Sequence, residues 1–115
     1  MKTTAVCFAL LLAGASSAHA QRQRLSMDPG WRFTLGDPQG AEATKFDDHQ
    51  WRKLDLPHDW SIEGTPDQSA PAGGRGGFFP TGIGWYRKAF RVPPGSSGKE
   101  VWLEFDGVYQ NSDVW

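Results

Sequence analysis

The acidic and histidine side chains of this 115-residue chain are where chemistry would have to start. Glu104 and Asp106 stand two apart in an alternating segment, so on a strand both carboxyls share one face with α carbons roughly 6.5 Å apart. Retaining hydrolysis of a glycosidic bond needs two carboxyls about 5–5.5 Å apart, flanking the scissile bond. That work is done in a cleft built from several elements, which a lone hairpin cannot supply. The expectation is therefore a solvent face on which Glu104 and Asp106 pair across strands with Arg87 or Arg91. Asp47-Asp48 reads as a solvated turn. His58-Asp59 has the residue types of an acid/base dyad, but neighbours in extended chain point to opposite sides, so His58 is expected to help fix the turn after Pro57. Beyond residue 20 only His49 and His58 remain as nitrogen ligands and no cysteine is left, so neither a metal site nor a cofactor is predicted.

Gly73-Gly74-Arg75-Gly76-Gly77 invites comparison with a phosphate cradle, but the Gly-x-Gly-x-x-Gly spacing, a following helix and a Lys-Ser/Thr pair are all missing. These glycines suit positive φ angles and close backbone approach instead. A formal net charge of −1 with no basic stripe and no acidic tail excludes a nucleic-acid partner. All six tryptophans lie after residue 20. An indole can stack on the apolar face of a pyranose, and it is also a strong core residue for a small sandwich. Packing is the reading for Trp31, Trp51, Trp60 and Trp85, and alternation turns Trp102 outward.

The elements that must hold these residues have a two-residue beat. Trp31 to Leu35 alternates apolar with polar and stops at the turn cluster Gly36 to Gly40. Gly84 to Val92 puts Tyr86, Lys88, Phe90 and Val92 on one face and Trp85, Arg87, Ala89 and Arg91 on the other. Val101, Leu103 and Phe105 face away from Trp102, Glu104 and Asp106. Pro93 to Gly98 between the last two predicts an antiparallel pair. A shorter strand is predicted from Lys53 to Leu56, a single helical turn is possible within Ala41 to Asp48, and a last strand starts near Asn111. The stretch from Ser61 to Gly84 is long enough to be either functional or disordered, and Phe78-Phe79 after the glycines favours a loop folded back onto something. About five strands can be placed where a sandwich normally uses seven or more, so the sheet is expected to continue in chain beyond residue 115.

Residues 1–20 have the build of a secretory signal: Lys2, an apolar run from Ala5 to Ala13 too short to span a bilayer, then Ala18-His19-Ala20. Cleavage is expected between Ala20 and Gln21, which predicts export to the periplasm or the cell exterior, no membrane attachment afterwards, and no disulfide in the remaining residues 21–115. Those residues are near the lower size limit for one stable domain and bury roughly two-thirds of their unfolded surface at best.

Three blocks then carry a resemblance. Phe46-Asp47-Asp48 with Trp51-Arg52-Lys53-Leu54-Asp55-Leu56-Pro57-His58-Asp59-Trp60, next Gly82-Ile83-Gly84-Trp85-Tyr86-Arg87-Lys88, and finally Leu103-Glu104-Phe105-Asp106-Gly107-Val108 resemble the N-terminal sugar-binding domain of glycoside hydrolase family 2. Their order across Leu25 to Trp115 makes the match specific. Pro-His-Asp-Trp and Gly-Gly-Phe-Phe-Pro look more like β-galactosidases than glucuronidases or mannosidases. The resemblance implies an all-β, galactose-binding-like jelly-roll β-sandwich, incomplete at its C-terminus, followed in the parent protein by an immunoglobulin-like domain and a (β/α)₈ barrel. Family members are retaining enzymes with both working glutamates in the barrel, and neither has a matching position here, so no catalytic residue is assigned. A β-galactoside-type glycan is the implied partner of the parent enzyme, and the barrel the intramolecular one. The loop carrying Arg75, Phe78 and Phe79 is expected to reach toward that barrel and shape one side of the sugar pocket, or else to serve as an interdomain strut. A free-standing carbohydrate-binding module and a structural or adhesion sandwich are the alternatives from other classes.

Overall fold

The computed structural model describes residues 22–115. The expected signal segment and its cleavage point at Ala20-Gln21 lie outside them. At the centre is β1 (Trp31–Leu35), with β2 (Arg52–Leu54) antiparallel on one side and β3 (Gly84–Arg87) antiparallel on the other. Phe33 stands opposite Arg52 on one side and Tyr86 on the other, and Thr34 stands opposite Trp85. The architecture is all-β and antiparallel, with two short 3₁₀ turns at Ser61–Glu63 and Gly73–Gly76. Among the described residues no helix is long and apolar enough to cross a membrane.

The alternation of β1 decides what covers each face. Phe33, Arg52 and Tyr86 share one face, and the segment after β2 folds over it through His58 and Trp60. The Phe33 ring lies 4.9 Å from the His58 ring and 4.8 Å from Tyr86. Arg32, Thr34, Trp85 and Arg87 share the other face, covered by residues 37–51. There Trp85 donates its indole N–H to Asp37 Oδ1 at 2.7 Å, and the Phe46 and Trp51 rings meet at 5.5 Å. Phe33 and Ala41 are the buried apolar side chains among the described residues. Gly84 is obligatory for this packing: a Cβ there would lie 2.8 Å from Trp60 Nε1 and 3.1 Å from Phe33 Cε2.

Several expectations are corrected. The strand begun at Gly84 ends at Arg87, leaving Ala89 to Val92 irregular, and the strand near Leu54 covers Arg52–Leu54 instead of Lys53 to Leu56. Residues 101–106 and those after Asn111 form no strand, so the antiparallel pair expected across Pro93 to Gly98 is absent. β3 pairs with β1 on one side only, from Leu35 opposite Gly84 to Arg32 opposite Arg87, and among the described residues no strand takes its other edge; alternation without a paired backbone does not make a strand. The helical turn allowed within Ala41 to Asp48 is a succession of tight turns, closed by Ala43 N–H to Gly40 C=O at 3.0 Å and Phe46 N–H to Ala43 C=O at 3.0 Å. Trp31, Trp51, Trp60 and Trp85 are all partly buried, as expected; Trp102 is 76% exposed, but Val101, Leu103 and Phe105 are exposed too, so alternation does not set its direction.

Candidate functional site

Short-range polar chemistry builds the turns on which the site residues sit. Asp59 accepts from the Ser61 amide at 2.9 Å and from its hydroxyl at 2.7 Å, starting the Ser61–Glu63 turn. Asp67 repeats this with Ser69 at 2.7 and 2.6 Å. In both, an aspartate closes its own backbone two residues on. His58 points the other way from Asp59, inward, as extended neighbours must. Its Nδ1 meets the Tyr86 hydroxyl at 2.8 Å, and its Nε2 lies 3.1 Å from Glu63 Oε1. The two are therefore no dyad, and His58 fastens the segment after Pro57 to the sheet.

Glu63 also accepts from both terminal nitrogens of Arg52 at 2.9 Å each, while the Arg52 guanidinium lies 5.3 Å over the Phe33 ring. Arg52, Glu63, Trp60 and Pro80 border a groove of about 330 Å³ floored by Phe33 and Leu35. Sequence inspection missed this network. Its members are scattered from residue 52 to residue 86, and no local signal joins them.

Beyond Glu63 the chain forms a closed loop. The Asp67 amide donates to the Phe78 carbonyl at 2.8 Å, and the Phe78 amide to the Gly73 carbonyl at 2.9 Å, so the loop folds back on itself. Phe78 holds a left-handed backbone at φ 60°, rare for a bulky residue. That conformation lays its ring over Gly74, where a Cβ would sit 3.5 Å from Cζ. The loop encloses a second groove of about 410 Å³ lined by Thr65, Asp67, Ser69, Phe78, Pro80 and Thr81. Arg75 is exposed on the Gly73–Gly76 turn, Phe78 is 38% exposed at the groove, and Phe79 turns back, half-buried, against Gly77.

The carboxylates singled out for chemistry are dispersed. Glu104 and Asp106 do not pair with Arg87 or Arg91. Glu104 lies 3.2 Å from Arg22 and 3.4 Å from Arg24, and Asp106 lies 3.5 Å from Arg24. With the expected strand unformed, nothing carries them across to β3. Arg87 is engaged instead by Asp48 Oδ2 at 3.0 Å and by the Ala41 and Ala43 carbonyls at 2.6 and 3.1 Å. Asp48 is thus a partly buried anchor, and Asp47, which accepts from His49, is the solvated half of that turn. The described residues contain no cluster of three or more His, Cys, Asp or Glu able to hold a metal ion.

The electrostatics of the site set a pH window. The Arg52 guanidinium holds the Glu63 carboxyl below 4.5, and the Ser69 hydroxyl and amide hold Asp67 below 3.8. Burial pushes the Tyr86 phenol above 10.0. The native state therefore binds fewer acidic protons than the unfolded chain, and the stability supplied by Glu63 and Asp67 is present above those ordinary values and lost as pH falls through the lowered ones. Tyr86 acts in the opposite sense: its contribution is complete below pH 10.0 and disappears as pH rises through its raised value. Because the Arg52–Glu63 pair is open to water, its loss should lower the thermal midpoint only slightly between about pH 4.5 and about pH 3, and Glu63→Gln should lessen that small dependence; an equally steep acid dependence in Glu63→Gln would contradict the assignment.

No family model matches the chain. Over 101 residues it is 50% identical to the β-galactosidase BoGH2A of Bacteroides ovatus, covering 88% of this chain and 12% of that protein. It is 34% identical over 108 residues to a β-glucuronidase of Bacteroides fragilis, covering 94% of this chain and 13% of that protein. The crystal structure of a β-glycosidase from Bacteroides vulgatus matches with a TM-score of 0.54 at 49% identity, over 58% of this chain and 9% of that one. The chain thus spans about an eighth or less of the length of the relatives it matches. With the ordered Trp51–Trp60, Gly82–Lys88 and Leu103–Val108 blocks on an all-β scaffold, this chain belongs to glycoside hydrolase family 2, as a segment of its N-terminal domain type.

Proposed function

We propose that this chain is a non-catalytic part of an exported, β-galactosidase-like retaining glycosidase, that it belongs to a jelly-roll sandwich, and that its loop at Arg75, Phe78 and Phe79 trims the sugar pocket of a barrel supplied elsewhere. The observation that carries the reading is the 50% identity to a β-galactosidase over only 12% of that protein. The chemistry agrees, because Glu104 and Asp106 are exposed and engaged with Arg22 and Arg24 instead of facing each other across a cleft. The 50% identity to the β-galactosidase, against 41% to a relative from Formosa agariphila that bears a β-glucuronidase name and 34% to the β-glucuronidase of Bacteroides fragilis, supports a galactoside over a glucuronide as substrate. Export rests on Lys2, the apolar run and Ala18-His19-Ala20; mass spectrometry of exported protein whose N-terminus is not Gln21 would refute that part.

One experiment with two arms tests the functional core. In the full-length polypeptide, Arg75→Ala is expected to lower kcat/KM toward aryl β-galactosides by roughly tenfold, about 1.4 kcal/mol of transition-state stabilisation. Residues 22–115 by themselves should give no turnover. Unchanged kcat/KM and substrate preference in the variant would remove the pocket role. Turnover by residues 22–115 that vanishes in Glu104→Gln would overturn the non-catalytic reading.

A further inference from the structure

The loop over residues 64–81 has both ends at one point. Gly64 lies against the Pro80 ring so closely that a side chain there has no room, and the Asp67 amide bonds the Phe78 carbonyl at 2.8 Å. Immediately outside the entrance stands Glu63. Its two oxygens take both ends of the Arg52 guanidinium on β2 at 2.9 Å each, and Oε1 lies 3.1 Å from His58 Nε2. His58 in turn meets Tyr86 of β3 at 2.8 Å and the Phe33 ring of β1 at 4.9 Å. One carboxylate thus ties the foot of the loop to β2 directly, and the pair it forms with Arg52, whose Nη2 lies 2.5 Å from the same His58 Nε2, meets the imidazole that touches β1 and β3.

The Arg52 and Glu63 side chains are 49% and 46% exposed, and ion pairs that open to water add little to global stability. A bidentate carboxylate–guanidinium pair supplies orientation, because two parallel bonds fix angle as well as distance. We infer that Glu63 is a positioning residue, a latch that sets the angle at which the 64–81 loop, with Arg75 and Phe78, leaves the sheet. Its consequence for the sugar pocket rests on the reading proposed above; its geometry does not.

The test is amide hydrogen exchange on the full-length polypeptide, with Glu63→Gln, which keeps side-chain length, and Arg52→Lys, which keeps the charge; each breaks the fork. Exchange at Asp67, Gly73 and Phe78 is expected to rise about tenfold in both variants, while Phe33 and Tyr86 amides stay within about twofold of wild type. Unchanged loop exchange in both variants overturns the latch. So does an equal rise at Phe33 and Tyr86, which would make the pair an ordinary structural contact. In the same proteins the kcat/KM loss from Arg75→Ala should shrink by about threefold or more when Glu63→Gln is already present, since a loop set at the wrong angle no longer presents Arg75. Faster loop exchange with no kinetic effect of Arg75→Ala supports the latch and discards the pocket role, so the two ideas fail separately.

Discussion

Phe33→Ala is expected to destabilise the chain by about 3–5 kcal/mol, enough to unfold much of it, because the substitution removes the ring on which three elements converge. Phe33 is 6% exposed and contacts the His58 ring from the segment after β2, the Tyr86 ring from β3 and the Arg52 guanidinium from β2. Gly84 is kept free of a side chain beside it. The other buried apolar side chain among the described residues, Ala41, is too small to replace that surface. Phe33→Leu retains most of the apolar volume and loses the ring contacts, so a cost of about 1–1.5 kcal/mol is expected. Urea titration followed by tryptophan fluorescence reads both, as a lower midpoint at unchanged slope. Equal stabilities for Phe33→Ala and Phe33→Leu would show that Phe33 is not the centre of this core.

Arg87→Met should cost about 2–4 kcal/mol on the opposite face of the sheet. The methionine fills the space of the aliphatic stem and strands a carboxylate and two carbonyls without a donor. Arg87 is 18% exposed at the side chain; besides Asp48, Ala41 and Ala43, it stacks over Phe46 at 5.6 Å. Lysine keeps the charge without the planar fork, so Arg87→Lys should recover only part of the loss. The Asp48→Asn and Arg87→Met pair should be non-additive, since each change empties the same contact. Denaturation of wild type and of the four variants checks this. Wild-type stability for Arg87→Lys would show that a point charge suffices and that the fork holding the 41–48 turns is irrelevant.

The two faces were unequally legible in advance. The period of Trp31 to Leu35 put Trp31, Phe33 and Leu35 on one face, of which the structure buries Phe33, half-buries Trp31 and leaves Leu35 59% exposed at the strand's end. The opposite directions of His58 and Asp59 came from the same rule. Phe78 and Phe79 after a glycine run announced a folded-back loop, and the structure supplies the bonds that close it. What misled was the alternation of Val101 to Asp106, identical in kind to that of β1. Periodicity reports which side a residue would face if its backbone found a partner; it does not report whether a partner exists. The partners of Arg87 were misassigned for the same reason, since placing it beside Glu104 required a neighbouring strand that does not form.

From composition and order alone, the residues determined an all-β chain, a central alternating strand, a glycine-rich loop without phosphate-binding chemistry, and a family resemblance carried by three ordered blocks. Only the tertiary structure decided that Glu63, Arg52, His58 and Tyr86 form one network, that Arg87 belongs to Asp48, and that Glu104 and Asp106 face Arg22 and Arg24. The physical reason is range. Alternation and turn chemistry act over two to four residues and are written locally, whereas a charge chooses its partner by which segments the chain packs together, and that choice belongs to the whole fold.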